Sequence, residues 1–370
     1  MNVLHFINNL NREGAQVMVS NLVAAADNSG IEYSVAVRQP GSSLAAEMRA
    51  QGITVAEPPR YFGFRSMHHS LEFLRQVCRE NQIQLIHAHL ADAAFLGWMV
   101  ARKLKLPLVI SHHGDDILLK CNPVCRFVYF VLLNLAVRYA AMNIAVSRSV
   151  AERVRKLLRV KKQYVQIIHN GVLVPASSQL DLRKKKEAGT NLSLTIVSVG
   201  RLVPLKGQRQ LIYAVARLAT SFPDIRLYIV GGGDLAQKLI QLAENEKVGR
   251  YIEFTGAVDD VSQYLAKADI YVSSSQAEGL PVSILEAMAW RLPVVASDIP
   301  GNRNVVKQGE TGFLYELNNI NSLVDTIVAV ANDHEMASAV AARARLMIEE
   351  QYSAGAAEQK FARLYRSILE

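Results

Sequence analysis

Two glutamates stand eight positions apart in Ala277-Glu278-Gly279-Leu280-Pro281-Val282-Ser283-Ile284-Leu285-Glu286. The run before them, Asp269-Ile270-Tyr271-Val272-Ser273-Ser274-Ser275, predicts a buried strand leading into a loop. The run after Pro281 predicts a helix, with proline in its first turn and apolar residues at Val282, Leu285 and Met288 or Ala289. Glu278 is therefore expected in a loop at the carboxyl end of a strand, and Glu286 about one and a half turns into the next helix. Open α/β sheets bind ligands in that crevice. Gly279 and Leu280 would offer backbone N–H groups at the helix start, a natural seat for an anion. Amides for phosphate and carboxylates for hydroxyls together suit a sugar nucleotide. An isolated pair of glutamates is ordinarily solvated surface charge, so the neighbouring segments decide the reading.

Ser198-Val199-Gly200-Arg201-Leu202-Val203-Pro204-Leu205-Lys206-Gly207 also follows a strand and precedes a helix. Arg201 can grip two phosphate oxygens and Lys206 supplies a point charge. Two loop cations alone would be unremarkable surface; their position at the same crevice as the glutamates favours phosphate binding. Val230-Gly231-Gly232-Gly233-Asp234 could bring backbone close to phosphate, but a tight turn explains it equally well. It is not Gly-x-Gly-x-x-Gly, and no dinucleotide fingerprint follows from it. In the first half, Asn9 to Gln16 joins the first strand to the first helix, and Gly14 at the helix start would present amides to a diphosphate. Ser111-His112-His113-Gly114-Asp115-Asp116 follows another strand. A lone histidine is usually structural, but the strand-end position favours a functional His113. Asn170-Gly171-Val172 reads as a turn that needs glycine. Asp-x-Asp, the usual holder of a metal beside a leaving diphosphate, occurs nowhere in the chain. Cys121-x3-Cys125 near His112 and His113 lacks the usual zinc spacing and has no second pair, so no metal is expected.

The elements that must position these residues follow βαβ grammar. Strands are expected at Val3–Ile7, Tyr33–Val37, Leu85–Ala88, Leu108–Ser111, Met142–Ser147 and Val165–His169 in the first half. In the second they are expected at Leu194–Val199, Arg226–Val230, Ile252–Thr255, Ile270–Ser273, Pro293–Ala296 and Gly312–Tyr315. Helical patterns lie between most of them, which implies parallel sheets covered on both faces. The stretches Ile86–His112 and Ile270–Asp298 share a strand–helix–strand plan in which Leu-Pro opens the second strand, suggesting two domains of one design. With 370 residues, half of them apolar and 20% charged, the chain has ample length for that. The domains are expected at 1–175 and 176–352, joined by linker-like composition between Gly171 and Leu192. The basic run Arg183–Lys186 reads as solvated linker rather than a nucleic-acid patch. Ser353 to Leu369 predicts a helix with Ala357, Phe361, Leu364 and Ile368 on one face.

Location and partners are read from charge and hydropathy. No apolar run reaches 18 residues; Phe127–Val137 is short and interrupted by Asn134, as in a buried helix. The start of the chain lacks the pattern of a signal peptide, and three cysteines fit a reducing cytoplasm. Residues 1–175 hold 20 basic and 11 acidic side chains, and the remainder 21 and 22, so the whole net charge of +8 originates in the first half. Eight of the nine histidines are there too. Tyr61-Phe62-Gly63-Phe64-Arg65 sets three aromatics beside a cation and leads into a helical stretch, Ser70–Glu80, with Leu71, Leu74, Val77 and Cys78 on one side. That combination suits peripheral contact with the inner face of the cytoplasmic membrane, where apolar insertion adds to attraction for anionic lipid.

Taken in order, these motifs resemble glycosyltransferase family 4, the retaining two-domain GT-B enzymes with a Glu-x7-Glu signature. The resemblance runs from residue 2 to about 315 and is strongest from 198 to 313. It covers Gly200-Arg201-Leu202 with Lys206-Gly207, His113-Gly114, Asn170-Gly171-Val172, and Asp298 to Leu314. It implies two Rossmann-like domains with parallel sheets facing a central cleft, and a last helix that crosses back onto the first domain. It implies that Arg201 and Lys206 bind the donor diphosphate and that Glu286 accepts bonds from ribose hydroxyls. Glu278 would bind the sugar and stabilise its oxocarbenium ion, with His113 lining the sugar site. Gly14, Gly279, Leu280 and Pro281 would complete the donor site. The implied reaction moves a hexosyl group, with retention and without metal or cofactor, from a nucleotide-diphosphate sugar to a glycan or lipid-linked acceptor. UDP is favoured on family frequency, and a lipid-linked intermediate of a bacterial surface polysaccharide is the analogous acceptor. Three departures stand out: Glu13 replaces a glycine, Gln16 a glutamate and Asn304 a glutamate. They leave open a sugar-nucleotide epimerase of the same fold or a catalytically silent binding subunit.

Overall fold

The computed structural model describes residues 1–26, 30–59, 67–114, 123–184 and 193–370. The aromatic segment Tyr61–Arg65, together with Asp115, Asp116, Cys121, Lys185 and Lys186, lies outside them. The chain divides into two units. One comprises Met1–Gly171 with Ser353–Glu370, the other Val172–Tyr352.

The first unit is a seven-stranded sheet built from β1 (Asn2–Ile7), β2 (Glu32–Val37), β3 (Thr54–Ala56), β4 (Leu85–His89), β5 (Leu108–His112), β6 (Met142–Ala145) and β7 (Val165–Ile167). Their spatial order is β3-β2-β1-β4-β5-β6-β7, with every pairing parallel. Parallel neighbours need crossovers. Here they are α1 (Gly14–Ala24), α2 (Ser43–Ala50), α3 (Met67–Glu80), α4 (Leu90–Leu104), α5 (Pro123–Tyr139) and α6 (Arg148–Leu158). The second unit holds α7 (Ser177–Lys184), β8 (Thr195–Val199), α8 (Arg209–Leu218), β9 (Arg226–Val230), α9 (Ala236–Asn245) and β10 (Ile252–Gly256). It continues through α10 (Ser262–Leu265), β11 (Ile270–Ser273), α11 (Val282–Ala289), β12 (Val294–Ser297), β13 (Phe313–Tyr315), α12 (Ile320–Asn332) and α13 (His334–Met347). Its six strands lie in the order β10-β9-β8-β11-β12-β13, again all parallel.

Each sheet reverses its winding once, between β1 and β4 in the first unit and between β8 and β11 in the second. On either side of such a point the crossovers run in opposite directions, so the loops leaving the carboxyl ends diverge and open a crevice. In the second unit those loops are Gly200–Gln208 after β8 and Ser274–Pro281 after β11.

The last helix, α14 (Ala354–Leu369), belongs to the first unit and packs against α1. Its Phe361 and Tyr365 join a core shared with Met18 and Leu22 of α1, Val3 and Ile7 of β1, and Leu85 of β4. Tyr33 Oη donates to the buried Glu358 carboxylate at 3.2 Å, anchoring the same helix to β2.

Three sequence expectations are corrected here. Gly171 is not required by a left-handed turn: a Cβ there would lie 2.6 Å from Ala354 Cα, so glycine lets the start of α14 lie against the backbone. Ser177–Lys184, expected to be linker, is the helix α7. The apolar side of α3 is turned inward, with Leu71, Leu74, Val77 and Cys78 all buried, so it offers no surface to a membrane. The short strand β3 was not expected; three residues carry too little alternation to be read. Phe127–Val137 lies within α5, and among the described residues no helix is long and apolar enough to cross a membrane.

Because Phe361 is 2% exposed at the centre of this packing, Phe361→Ala should destabilise the first unit by about 3 to 5 kcal/mol. Denaturant unfolding followed by probes specific to each unit checks this; the second unit should keep its midpoint.

Candidate functional site

Adjacent parallel strands bring the charged loops of the second unit together. β8 and β11 pair with Ile196 opposite Ile270 and Val197 opposite Tyr271. Beyond β8 the chain passes Gly200 and Arg201 and makes one 3-10 turn, Pro204–Lys206, before α8. Beyond β11 it passes Glu278 and enters α11. Lys206 Nζ donates to Glu278 Oε1 at 2.5 Å, with both side chains largely shielded from solvent. The loops are also tied by their backbones. Gln276 N–H donates to the Leu205 carbonyl at 2.7 Å, and Ser274 Oγ donates to the Lys206 carbonyl at 2.9 Å. Gln208 Nε2 donates to the Arg201 carbonyl at 2.9 Å, while Arg201 itself is exposed on the rim of the loop.

A second layer holds Glu278 from below. Gly301, in the loop after β12, lies so close that any Cβ would collide with the Glu278 carbonyl. Its neighbour Asn302 is buried and donates through Nδ2 to the Ser297 carbonyl at 2.9 Å, fixing that loop on the end of β12. Asn304 turns back on its own chain, donating to the carbonyls of Pro300 and Gly301 at 3.2 and 3.0 Å. The glycine triplet has a packing role. Gly231 and Gly233 have φ of +139° and +153°, and a Cβ on either would run into the carbonyls of Gly200 or Leu202. Leu202 N–H donates to the Gly232 carbonyl at 2.8 Å, so the triplet supports the Arg201 loop from behind.

The helix after Glu278 begins at Val282 with Pro281 as N-cap and no side-chain cap. Gly279 keeps some exposure and Leu280 is 5% exposed, so the approach to the helix start is lined by backbone on one side and apolar surface on the other. Glu286 lies one turn further on. Burial pushes its carboxyl up to about 7, and the Asp260 charge adds to the shift, although the residue retains some accessible surface. The fully buried Tyr271 phenol is raised chiefly by burial, with further contributions from both Glu278 and Glu286. Tyr271 therefore lies within electrostatic reach of both carboxylates. Glu278 has a cation and Glu286 a second carboxylate nearby, so the two acids stand in different electrostatic settings.

The remaining expected residues are in the first unit. Gly14 is the exposed first residue of α1, with Glu13 at the N-cap making no side-chain cap bond. Gln16 is buried and donates to Asn9 Oδ1 at 3.0 Å, bracing the loop before the helix. His113 follows β5. Its Nε2 lies 3.2 Å from His89 Nδ1, and its buried Nδ1 has no partner among the described residues. Burial lowers His113 to about 3, with His112 adding a smaller effect, so the ring is neutral. His112 points to the other face of the sheet, where its Nε2 meets Asn143 Oδ1 at 3.1 Å. His5, His87 and His89 did not emerge from sequence reasoning, although His87 and His89 share one strand face by simple alternation.

Comparison with known proteins agrees with this geometry. Residues 12–173 match the family profile described as Glycosyltransferase Family 4, and residues 181–347 match Glycosyl transferases group 1. An uncharacterized glycosyltransferase of Haemophilus influenzae is 35% identical over 50% of this chain and 50% of its own length. The UDP-Gal:alpha-D-GlcNAc-diphosphoundecaprenol alpha-1,3-galactosyltransferase of Escherichia coli is 29% identical over 71% of this chain and 70% of its own. Among solved structures, Anabaena HepE in complex with UDP and glucose superposes with a TM-score of 0.83 at 22% identity, covering 99% of this chain and 100% of that one.

Two outcomes follow from the local geometry. Gly301→Ala must displace Glu278, so it should impair sugar-nucleotide binding or turnover severely while leaving the fold of the first unit intact; activity and far-UV circular dichroism measured together check this. Should Glu286 accept ribose hydroxyls, as the family resemblance implies, its ionised form would be the better acceptor. Affinity for a UDP-sugar, whose diphosphate does not titrate in this range, should therefore rise as pH climbs through about 7. Glu286→Gln should flatten that rise, as read by calorimetry at several pH values.

Proposed function

We propose, since the chain belongs to glycosyltransferase family 4, that it moves a hexosyl group from a nucleotide-diphosphate sugar to a glycan or lipid-linked acceptor, with retention and without metal. The fold is GT-B, with two Rossmann-like units of parallel sheet. The observation that carries the reading is the contact of Lys206 with Glu278 at the winding reversal of the second sheet, in the loop that leads into the helix bearing Glu286.

The chemical problem is a diphosphate that gains negative charge as the glycosidic bond breaks. Arg201, Lys206 and the amides ahead of α11 would stabilise it. Lys206 has three N–H groups, and the one given to Glu278 leaves two for phosphate oxygens. The same ammonium would thus link the leaving phosphate to the carboxylate that faces the sugar. Glu278 would then stabilise positive charge on the oxocarbenium ion while Glu286 binds the ribose. The acceptor would attack from the leaving-group face, with a phosphate oxygen as base, and the family resemblance assigns His113 to the sugar and Gly14 to the diphosphate. A UDP-sugar is the favoured donor. HepE was crystallised with UDP and glucose, and the Escherichia coli relative is named for UDP-Gal. That relative's diphosphoundecaprenol acceptor supports a lipid-linked acceptor here. The absence of Asp-x-Asp from the sequence supports charge stabilisation by side chains rather than by a metal.

The test is incubation with a panel of nucleotide sugars, following nucleotide release and the anomeric configuration of the product by NMR. Turnover should persist in excess chelator. Lys206→Ala should lower kcat by about 10²-fold or more, because its charge matters most as the leaving group forms. An inverted product, or loss of turnover in chelator with rescue by manganese, would contradict the reading.

A further inference from the structure

One face of the first sheet is lined by imidazoles where aliphatic side chains would be usual. Positions 5, 87, 89, 111 and 113 share that face by strand alternation and parallel register, His5 lying opposite His87 and His89 opposite Ser111. His5, His87 and His89 are wholly buried. The three have ring nitrogens within 4.8 Å of one another, which could suggest a metal site. Their nitrogens are already committed, however. His87 spends both, on Tyr365 Oη at 2.6 Å and Ser111 Oγ at 2.7 Å. His5 Nδ1 lies 2.8 Å from His89 Nε2, a hydrogen-bond distance that leaves no room for an ion between them.

What remains is a continuous chain of three rings, His5–His89–His113. Each link joins two ring nitrogens and needs one N–H and one lone pair. Burial lowers the pKa of all three well below neutrality, so each ring carries one N–H. Only two proton arrangements satisfy both links. In one, His5 Nδ1–H donates to His89, His89 Nδ1–H donates to His113, and His113 bears its hydrogen on Nδ1. In the other every hydrogen is reversed, His113 Nδ1 is a lone pair, and His5 bears its hydrogen on Nε2. Neither end atom has a partner among the described residues. The second arrangement seals an unpaired N–H in the closed core, since His5 is fully buried. The first leaves only a lone pair there and places the spare N–H on His113 Nδ1, an atom that is itself buried and unpartnered but belongs to a residue keeping some exposure at the strand end, where a ligand can reach it. An unpaired N–H is costlier where no partner can reach it than where a ligand can supply one.

We propose that His5 and His89 are positioning residues that set the tautomer of His113, so that His113 meets its ligand as an Nδ1–H donor and selects an acceptor oxygen at that place. This rests on the reading above in taking the sugar as that ligand, but the tautomer itself can be read without any transfer reaction.

The experiment is long-range 1H–15N correlation on protein labelled with 15N-histidine, His113 being assigned by the signal lost in His113→Gln. The wild-type protein should show His113 protonated at Nδ1 near neutral pH. His5→Asn, whose amide N–H can stand in for Nδ1–H, should preserve that signature. His5→Phe, which has no donor, should shift His113 toward the Nε2–H form. A wild-type His113 protonated at Nε2 would overturn the proposal even if His5→Phe fails to fold. So would an unchanged tautomer in a folded His5→Phe protein. The expected tautomer in a protein that transfers no sugar would count against the glycosyl-transfer reading and leave the relay standing.

Discussion

The parallel pairing of β8 with β11 is the constraint on which the site depends. These strands are neighbours in space but not in sequence, because the winding of the sheet reverses between them. Their carboxyl ends therefore point the same way and release two loops side by side. One delivers a lysine and the other a glutamate, and the two charges meet at 2.5 Å. The rest of the second unit supports that meeting. Gly231 and Gly233 let one loop lie flat on its neighbour, Gly301 lets another press against Glu278, and Ser274 joins the two loops by a side-chain hydrogen bond.

The two acids of the signature occupy different electrostatic settings although they share a helix and its approach. Glu278 has a cation in contact. Glu286 is pushed up toward neutrality by burial first and by the negative charge of Asp260 second. A carboxylate held by a lysine can remain charged beside a forming cation. A carboxyl poised near 7 gains most from hydroxyl donors that favour its ionised form. Under the proposed reaction, burial and partner would divide the work between residues of one type, as environment does in other two-carboxylate sites.

Much of this was legible in the sequence, for identifiable reasons. Strands buried on both faces are near-continuous apolar runs, so all but one of the observed strands were expected within a residue or two. The exception is β3, which has three residues at the sheet edge. The types and order of Arg201, Lys206, Glu278 and Glu286 were also readable, because the first three lie in loops after strand ends and Glu286 lies on the helix that follows the last of them. That Lys206 and Glu278 touch was not readable, since it depends on which strands become neighbours. The same holds for Gly171 and Gly301, whose need for glycine comes from backbone distant in the chain. The histidine relay joins residues 84 positions apart. Its one local signal was His87-Ala88-His89, two imidazoles on the same face of a strand whose other residues are apolar.

In the proposed reaction Lys206 and Glu278 act as one unit on the breaking bond. A double-mutant cycle tests this most directly, comparing kcat for transfer from a UDP-sugar in Lys206→Ala, Glu278→Gln and the double variant. Residues that act together give strongly non-additive losses. The double variant should be about as impaired as the worse single variant. Losses that multiply, so that the double variant falls by the product of the two single effects, would contradict that joint action.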